Sequence, residues 1–184
     1  LQFEFLKNQG LQPDHTLLDV GCGSLRGGVH FVRYLDPGNY IGLDMSRSLL
    51  NAGYDIELAS AGIQDRLPRE NLICDSSFKV PCASGTLDFA LAVSVFTHLS
   101  LNRIRQCLTN VAPVMRSGGM FYATFFELPE ATARGKPVQH AGGVVTSDVD
   151  DPYHYSLQDL AYLVEDLPWR LQPIGAWNHP RGSI

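Results

Sequence analysis

The chain has 184 residues, 45% hydrophobic and 18% charged, with a net charge of −5. That composition excludes disorder and predicts one globular domain, residues 1–184, large enough to bury its own core. The acidic balance argues against nucleic acid as a partner, which needs a basic face, and the longest apolar run, Phe89 to Val93 with Val95 and Phe96, is too short to span a membrane.

Taken in order, Leu1 to Asn8 reads as the end of a helix packed on a sheet edge, stopped by Gly10. Thr16 to Val20 is a first strand, and Val29 to Leu35 a core helix closed by Asp36-Pro37-Gly38. Tyr40 to Leu43 is a second strand ending at Asp44. Ser46 caps the next helix, which runs through Leu49, Leu50, Ile56 and Leu58 to Gly62. Gly53 inside that helix is unfavourable by about 1 kcal/mol against alanine. Asn71 to Cys74 is a third strand, ending at Asp75. Leu87 to Val95 is a fourth, so apolar that it belongs at the sheet centre.

A helix from Ser100 ends at Pro113, and Ser117-Gly118-Gly119 reads as a turn into a fifth strand, Met120 to Phe126. Periodicity then fails from Leu128 to Tyr155, a stretch expected to be a lid or substrate-binding insertion. Ser156 with Asp159 has capping character ahead of a helix Leu157 to Leu167, and Trp169 to Trp177 is read as a sixth strand. Strands alternating with helices predict an α/β fold with a doubly wound, mostly parallel sheet.

The richest stretch is Leu17 to Gly28, where a buried strand runs into glycines and then a helix. Glycines permit tight turns and close ligand approach, and N–H groups at a helix start favour negative ligand groups. A dinucleotide fingerprint requires G-x-G-x-x-G; here Gly21 and Gly23 are followed by Arg26, and the next glycine, Gly27, comes one residue late. Asp19, two residues before Gly21, repels a pyrophosphate and suits a cationic amino group. The pattern therefore points to a ligand carrying ammonium and ribose.

The motif Asp19-x-Gly21-x-Gly23, with Asp44 closing the next strand, resembles class I S-adenosylmethionine-dependent methyltransferases, and the resemblance extends from about Thr16 to Trp177. It implies a Rossmann-like seven-stranded sheet, of which only six strands are read here, so the last strand is missing from the reading. Leu25 stands where many members carry a third glycine; its side chain is expected to point away from the ligand, with Gly27 and Gly28 taking over the close approach. The cofactor implied is S-adenosyl-L-methionine. Asp19 takes its methionine end, with Gly21, Cys22, Gly23 and Ser24 forming the turn beside it. Asp44 takes both ribose hydroxyls and Met45 packs on the adenine. Asp75 accepts from the adenine amino group, with Ser76 near it, and Val93, Ser94 and Val95 line the floor.

Methyl transfer from a sulfonium is an in-line displacement in which the protein positions and desolvates, and a base is needed only where the acceptor must lose a proton. His98 is the candidate base, and Tyr153, His154 and Tyr155 are candidate acceptor contacts, with His179 and Arg181 as further candidates. Asp148, Asp150 and Asp151 read as a solvated acidic loop, so no metal is expected. Cys22, Cys74, Cys82 and Cys107 are scattered without a C-x-x-C, nothing at the N-terminus reads as a signal peptide, and the expected compartment is the cytoplasm. The expected partner is a small-molecule substrate, with neither nucleic acid nor membrane. The competing readings are an NAD-dependent oxidoreductase, which Asp44 permits and Asp19 and Arg26 oppose, and a non-catalytic S-adenosylmethionine-binding protein.

Overall fold

Leu17, Leu18, Asp19 and Val20 form β1 (Leu17–Val20), which is buried along its whole length because a strand lies on each side of it. In the computed structural model, which describes residues 1–129, 134–177 and 182–184, β1 pairs in parallel with β2 (Tyr40–Asp44) and with β4 (Leu87–Ala92). β2 pairs in parallel with β3 (Leu72–Cys74), and β5 (Met115–Ala123) completes a sheet of order β3-β2-β1-β4-β5. Helical segments lie between β1 and β2, between β2 and β3 and between β4 and β5, while β3 runs to β4 without one, and the strand order is that of the doubly wound α/β topology that the sequence predicts.

The described residues fall into two compact units, Leu1–Val93 with Pro113–Tyr122, and Ser94–Ala112 with Ala123–Ile184. The first holds the sheet with α1 (Gln2–Asn8), α2 (Gly28–Tyr34), α3 (Arg47–Ala52) and α4 (Ala59–Ala61). Its core gathers Leu6, Leu17, Leu25, Phe31, Leu50 and Leu91; each such side chain removed from water contributes about 1.5–3 kcal/mol before entropy is counted. α1 reaches the sheet edge as expected, with Phe5 edge-on to Tyr122 of β5 at 5.1 Å.

α3 begins on its Ser46 cap, passes through a π-helical turn at Gly53–Leu58 into α4, and stops at Gly62, which is left-handed. Gly53 has a packing reason. A Cβ there would lie 2.7 Å from Leu25 Cγ and 2.9 Å from the Ser24 carbonyl carbon. The helix therefore sits directly against the glycine turn.

The second unit pairs α5 (Leu101–Val111) with α6 (Leu157–Val164). Arg105 joins them, donating to the Leu163 carbonyl at 2.9 Å and to both carboxylate oxygens of Asp166 at 2.6 and 2.8 Å. Ser156 and Asp159 form a reciprocal capping box, so aspartate serves where glutamate is usual.

Three expectations are corrected. Ser117-Gly118-Gly119 is not a turn: β5 runs through it, and Gly119 lies where a Cβ would come within 3.1 Å of the Asp88 carbonyl oxygen. The sixth strand, Trp169 to Trp177, does not form. Pro168 and Pro173 remove ladder donors, Gly175 has φ of +75°, and Trp169 instead donates its indole N–H to the Leu108 carbonyl at 3.0 Å. Within the aperiodic stretch lie two ladders too short to leave a pattern. β6 (Phe126–Glu127) pairs in parallel with β9 (His154–Tyr155), and β7 (Val138–Gln139) pairs antiparallel with β8 (Val145–Thr146). No helix among the described residues is long and apolar enough to cross a membrane, and all four cysteines are free thiols.

Gly53→Ala tests the contact between helix and turn. Helix propensity alone favours alanine by about 1 kcal/mol, but overpacking against the turn reverses the sign, and the expected result is a net loss of ~1–2 kcal/mol in urea unfolding. A raised denaturation midpoint would show that the helix can move off the turn freely.

Candidate functional site

The turn after β1 has left-handed backbone at Gly21 (φ +70°), Gly23 (φ +55°) and Leu25 (φ +60°). The first two are glycines, as that region favours. Leu25 tolerates it because its side chain is fully buried in the core, pointing away from the turn's open side as expected. The turn's amides are largely spent inside the protein. Gly21 and Cys22 both donate to the Leu43 carbonyl, at 2.7 and 3.2 Å, Leu25 donates to the Cys22 carbonyl at 3.1 Å, and Gly23 donates to Asp44 Oδ2 at 2.9 Å.

Asp44 also accepts from the Ser46 amide through Oδ1 at 2.8 Å. Its carboxylate thus ties the first turn to the second. The Asp75 amide donates to the Asp44 carbonyl at 3.2 Å, placing Asp75 at the tip of the next strand. Asp75 Oδ1 accepts from the Lys79 amide at 3.0 Å and from the Ser77 hydroxyl and amide at 2.8 and 2.7 Å, bonds that hold the carboxyl below its usual range. Asp19, Asp44 and Asp75 therefore stand at the carboxyl ends of three adjacent strands, where open α/β sheets bind ligands.

Asp19 is only 5% exposed and accepts from the Tyr40 hydroxyl at 2.7 Å. Burial pushes its carboxyl up to about 7; the Tyr40 hydrogen bond opposes the shift and the negative charge of Asp44 adds to it. Tyr40 was not visible as a site residue from sequence. Its signal is the parallel register, in which Asp19 lies opposite Gly42 and Tyr40 is two residues before Gly42 on the same strand face. Gly28 makes room for this pair, since a Cβ there would lie 2.6 Å from the Tyr40 hydroxyl. Gly27 similarly faces the Gln2 amide. Both glycines therefore admit side chains of the protein, and Gly27 also lines the cleft described next.

A polar cleft of about 200 Å³ is lined by Asp19, Gly21, Cys22, Gly23, Ser24 and Val93, all six expected, and by Gln2, Arg26 and Gly27. Gln2 had no sequence signal as a site residue, because it belongs to a helix far from the turn in the chain. The Cys22 thiol is pushed far up by burial and by the charges of Asp19 and Asp44, which makes it inert. Met45, beside Asp44, is 77% exposed, and Ser76 is exposed.

The remaining candidates lie in the second unit. Ser94 has φ of +56° and donates its amide to Thr124 Oγ1 at 2.8 Å. His98 Nδ1 is 2.5 Å from Asp151 Oδ1, both side chains being exposed. Tyr153 is half-buried and donates its amide to the Thr97 carbonyl at 2.7 Å. His154 and Tyr155 are buried, with His154 Nδ1 2.8 Å from Thr146 Oγ1 and the Tyr155 hydroxyl on the Leu99 carbonyl. No cluster able to hold a metal ion occurs among the described residues, and His179 and Arg181 lie outside them.

The sequence profile of a methyltransferase domain family matches residues 18–121. The 18S rRNA (guanine(1575)-N(7))-methyltransferase of Saccharomyces cerevisiae is 27% identical over 158 residues, covering 77% of this chain and 52% of that protein. The chain thus spans about half the length of this curated relative. A SAM-dependent methyltransferase from Aquifex aeolicus superposes with a TM-score of 0.65 at 15% identity, over 94% of this chain and 81% of that one. Geranyl diphosphate C-methyltransferase from Streptomyces coelicolor, solved with Mg2+, geranyl diphosphate and S-adenosyl-L-homocysteine, gives 0.65 at 18% identity, over 90% and 57%.

The buried acid sets a pH dependence. Asp19 titrates near 3.8 when unfolded and near 7 when folded, so between those values the native state holds a proton that the unfolded state releases. Stability contributed by that proton is present below about pH 4 and is lost as pH rises to about 7, on the order of a few kcal/mol across the window. Asp19→Asn should flatten this part of the profile of unfolding free energy against pH; an unchanged slope would place Asp19 in contact with water.

Proposed function

This chain belongs to the methyltransferase domain family, and on that premise we propose that it transfers the methyl group of S-adenosylmethionine to a small-molecule acceptor by in-line displacement. The observation that carries the reading is the pairing of carboxylates at one glycine turn: Asp19 lines the cleft, and Asp44 holds the Gly23 amide that lines it too. A buried acid with no ion pair among the described residues suits the ammonium of the cofactor's methionyl end. Asp44, at the neighbouring tip, suits the ribose hydroxyls, and Met45 and Asp75 the adenine. Positioning two reactants in line can supply up to roughly 7–11 kcal/mol of the barrier, so no covalent nucleophile is required.

The small-molecule acceptor is supported by the net charge of −5, which disfavours a polyanionic backbone. An RNA acceptor is the second reading, favoured by the printed activity of the yeast relative. In the second unit, His98 is our candidate base for an acceptor that must lose a proton, because Asp151 engages Nδ1 and leaves Nε2 to accept. We assign the stretch 128–155, with Tyr153, to acceptor recognition, and the cytoplasm as the compartment.

Isothermal titration with S-adenosylhomocysteine should show one site, weakened roughly 10- to 100-fold by Asp19→Ala, the range for losing a charged hydrogen bond. No heat with wild-type protein that is folded by circular dichroism would remove the reading. Transfer of labelled methyl groups to small hydroxylated or aminated acceptors, with none to total rRNA, would support the acceptor class; labelling of rRNA alone would replace it with the second reading.

A further inference from the structure

We propose that Thr97 and His154 together bind one hydroxyl group, that of the methyl acceptor: the hydroxyl donates to His154 Nε2 and accepts from Thr97 Oγ1. The inference rests on the methyl-transfer reading above and names the acceptor's chemical class.

The first observation is a pair of unpartnered polar atoms. Thr97 and His154 are 2% and 1% exposed, yet Thr97 Oγ1 and His154 Nε2 have no hydrogen-bond partner among the described residues. Buried polar groups are nearly always paired, and an unpaired one carries its full desolvation cost until a ligand or a water meets it. The two residues sit on adjoining segments. Thr97 belongs to a short 3-10 helix, Phe96–His98, that follows β4 in the chain. The amide of Tyr153, the residue before His154, donates to the Thr97 carbonyl at 2.7 Å. Successive strand side chains point to opposite faces. Tyr153 and Tyr155 stack on each other at 6.1 Å, so His154 is turned to the other face.

The second observation sets which nitrogen of the imidazole carries the proton. Thr146 Oγ1 lies 2.8 Å from His154 Nδ1 and 2.8 Å from His140 Nε2, with the Val138 carbonyl at 3.4 Å. The Thr146 hydroxyl has one proton to give. Given to His154, it would force the proton of the neutral ring onto Nε2 and leave a buried N–H without a partner, an orphan that folded proteins avoid. Given to His140, it lets the His154 Nδ1–H donate to Oγ1 and leaves Nε2 a bare lone pair. His154 therefore calls for a donor, and Thr146 is the positioning residue that makes it so.

The third observation is the chemistry that answers both atoms. A hydroxyl donates and accepts at a single oxygen. An ammonium would leave the Thr97 proton without an acceptor. Guanine N7, the atom in the yeast relative's name, carries a lone pair and no proton, so it would meet Nε2 acceptor to acceptor. The pair thus selects a hydroxylated acceptor over an aminated one and over that position of RNA.

The test uses the whole chain, labelled with 15N at histidine, and reads the ring nitrogens by NMR. The free protein should show His154 protonated at Nδ1 and bare at Nε2; a proton on Nε2 of the neutral ring would overturn the proposal. Phenol, as a small hydroxyl donor, should shift the Nε2 resonance saturably, and anisole, which has the same ring and no donor, should leave it in place. Thr97→Val should weaken phenol about 10-fold. Thr146→Val should move the ring proton to Nε2 and weaken phenol by a similar factor, and Thr146→Ser should restore both properties to within twofold of wild type. The comparison of phenol with anisole in wild type stands even if a variant fails to fold. Equal responses to the two probes, or a water held on Nε2 with no response to phenol, would overturn the proposal. So would labelled methyl transfer confined to aminated acceptors or RNA. No heat with S-adenosylhomocysteine would remove the methyl-transfer reading and leave the phenol result intact, so the two failures are distinct.

Discussion

The hydrogen bond from the Gly23 amide to Asp44 is the constraint on which the site depends. It joins the turn after one strand to the tip of the next and consumes an amide that a phosphate would otherwise use. It also fixes the carboxylate's other oxygen on Ser46, the cap of the following helix. A single side chain thereby sets the spacing of two adjacent strand tips, and everything a ligand meets there follows from that spacing. Removing it would leave two turns whose glycines no longer have a reason to hold one conformation.

The second element is the burial of Asp19. A carboxylate in the central strand of a sheet is unfavourable, and the chain answers with one hydroxyl, from Tyr40, reached through the space that Gly28 leaves. Folding thus leaves an acid only partly satisfied, next to a cleft. Such an arrangement favours a cationic ligand more than it favours the empty protein, which is the sense in which a strained acid at a strand tip marks a function. Arg26, which lines the same cleft, gives it a positive charge.

Much of this was legible in the sequence because it rests on local rules. The order of strands, turns and caps follows from apolar runs, glycines and Ser46; the turn's departure from a dinucleotide pattern follows from Arg26 and Asp19. Leu25 could be placed with its side chain inward because the alternative leaves a leucine in water at a polar site. The rest depends on tertiary neighbours. Gly53 reads as a flaw in a helix until Leu25 is set against it. Tyr40 reads as an ordinary strand aromatic until the register brings its face to Asp19. Pro173 and the indole bond to Leu108 outweigh the strand reading of residues 169–177. The burial of His154 and Tyr155 is likewise invisible in the chain, because the β6–β9 ladder in which they lie is only two residues long.

The central claim is that two carboxylates on neighbouring strands grip opposite ends of a cationic nucleoside. A crystal structure with S-adenosylhomocysteine tests it most directly. The account predicts the ligand's amino nitrogen within hydrogen-bond distance of Asp19 and both ribose hydroxyls on Asp44, with Gly23 still bonded to the same carboxylate. A nucleoside bound elsewhere, or one whose ammonium and ribose touch neither acid, would contradict it.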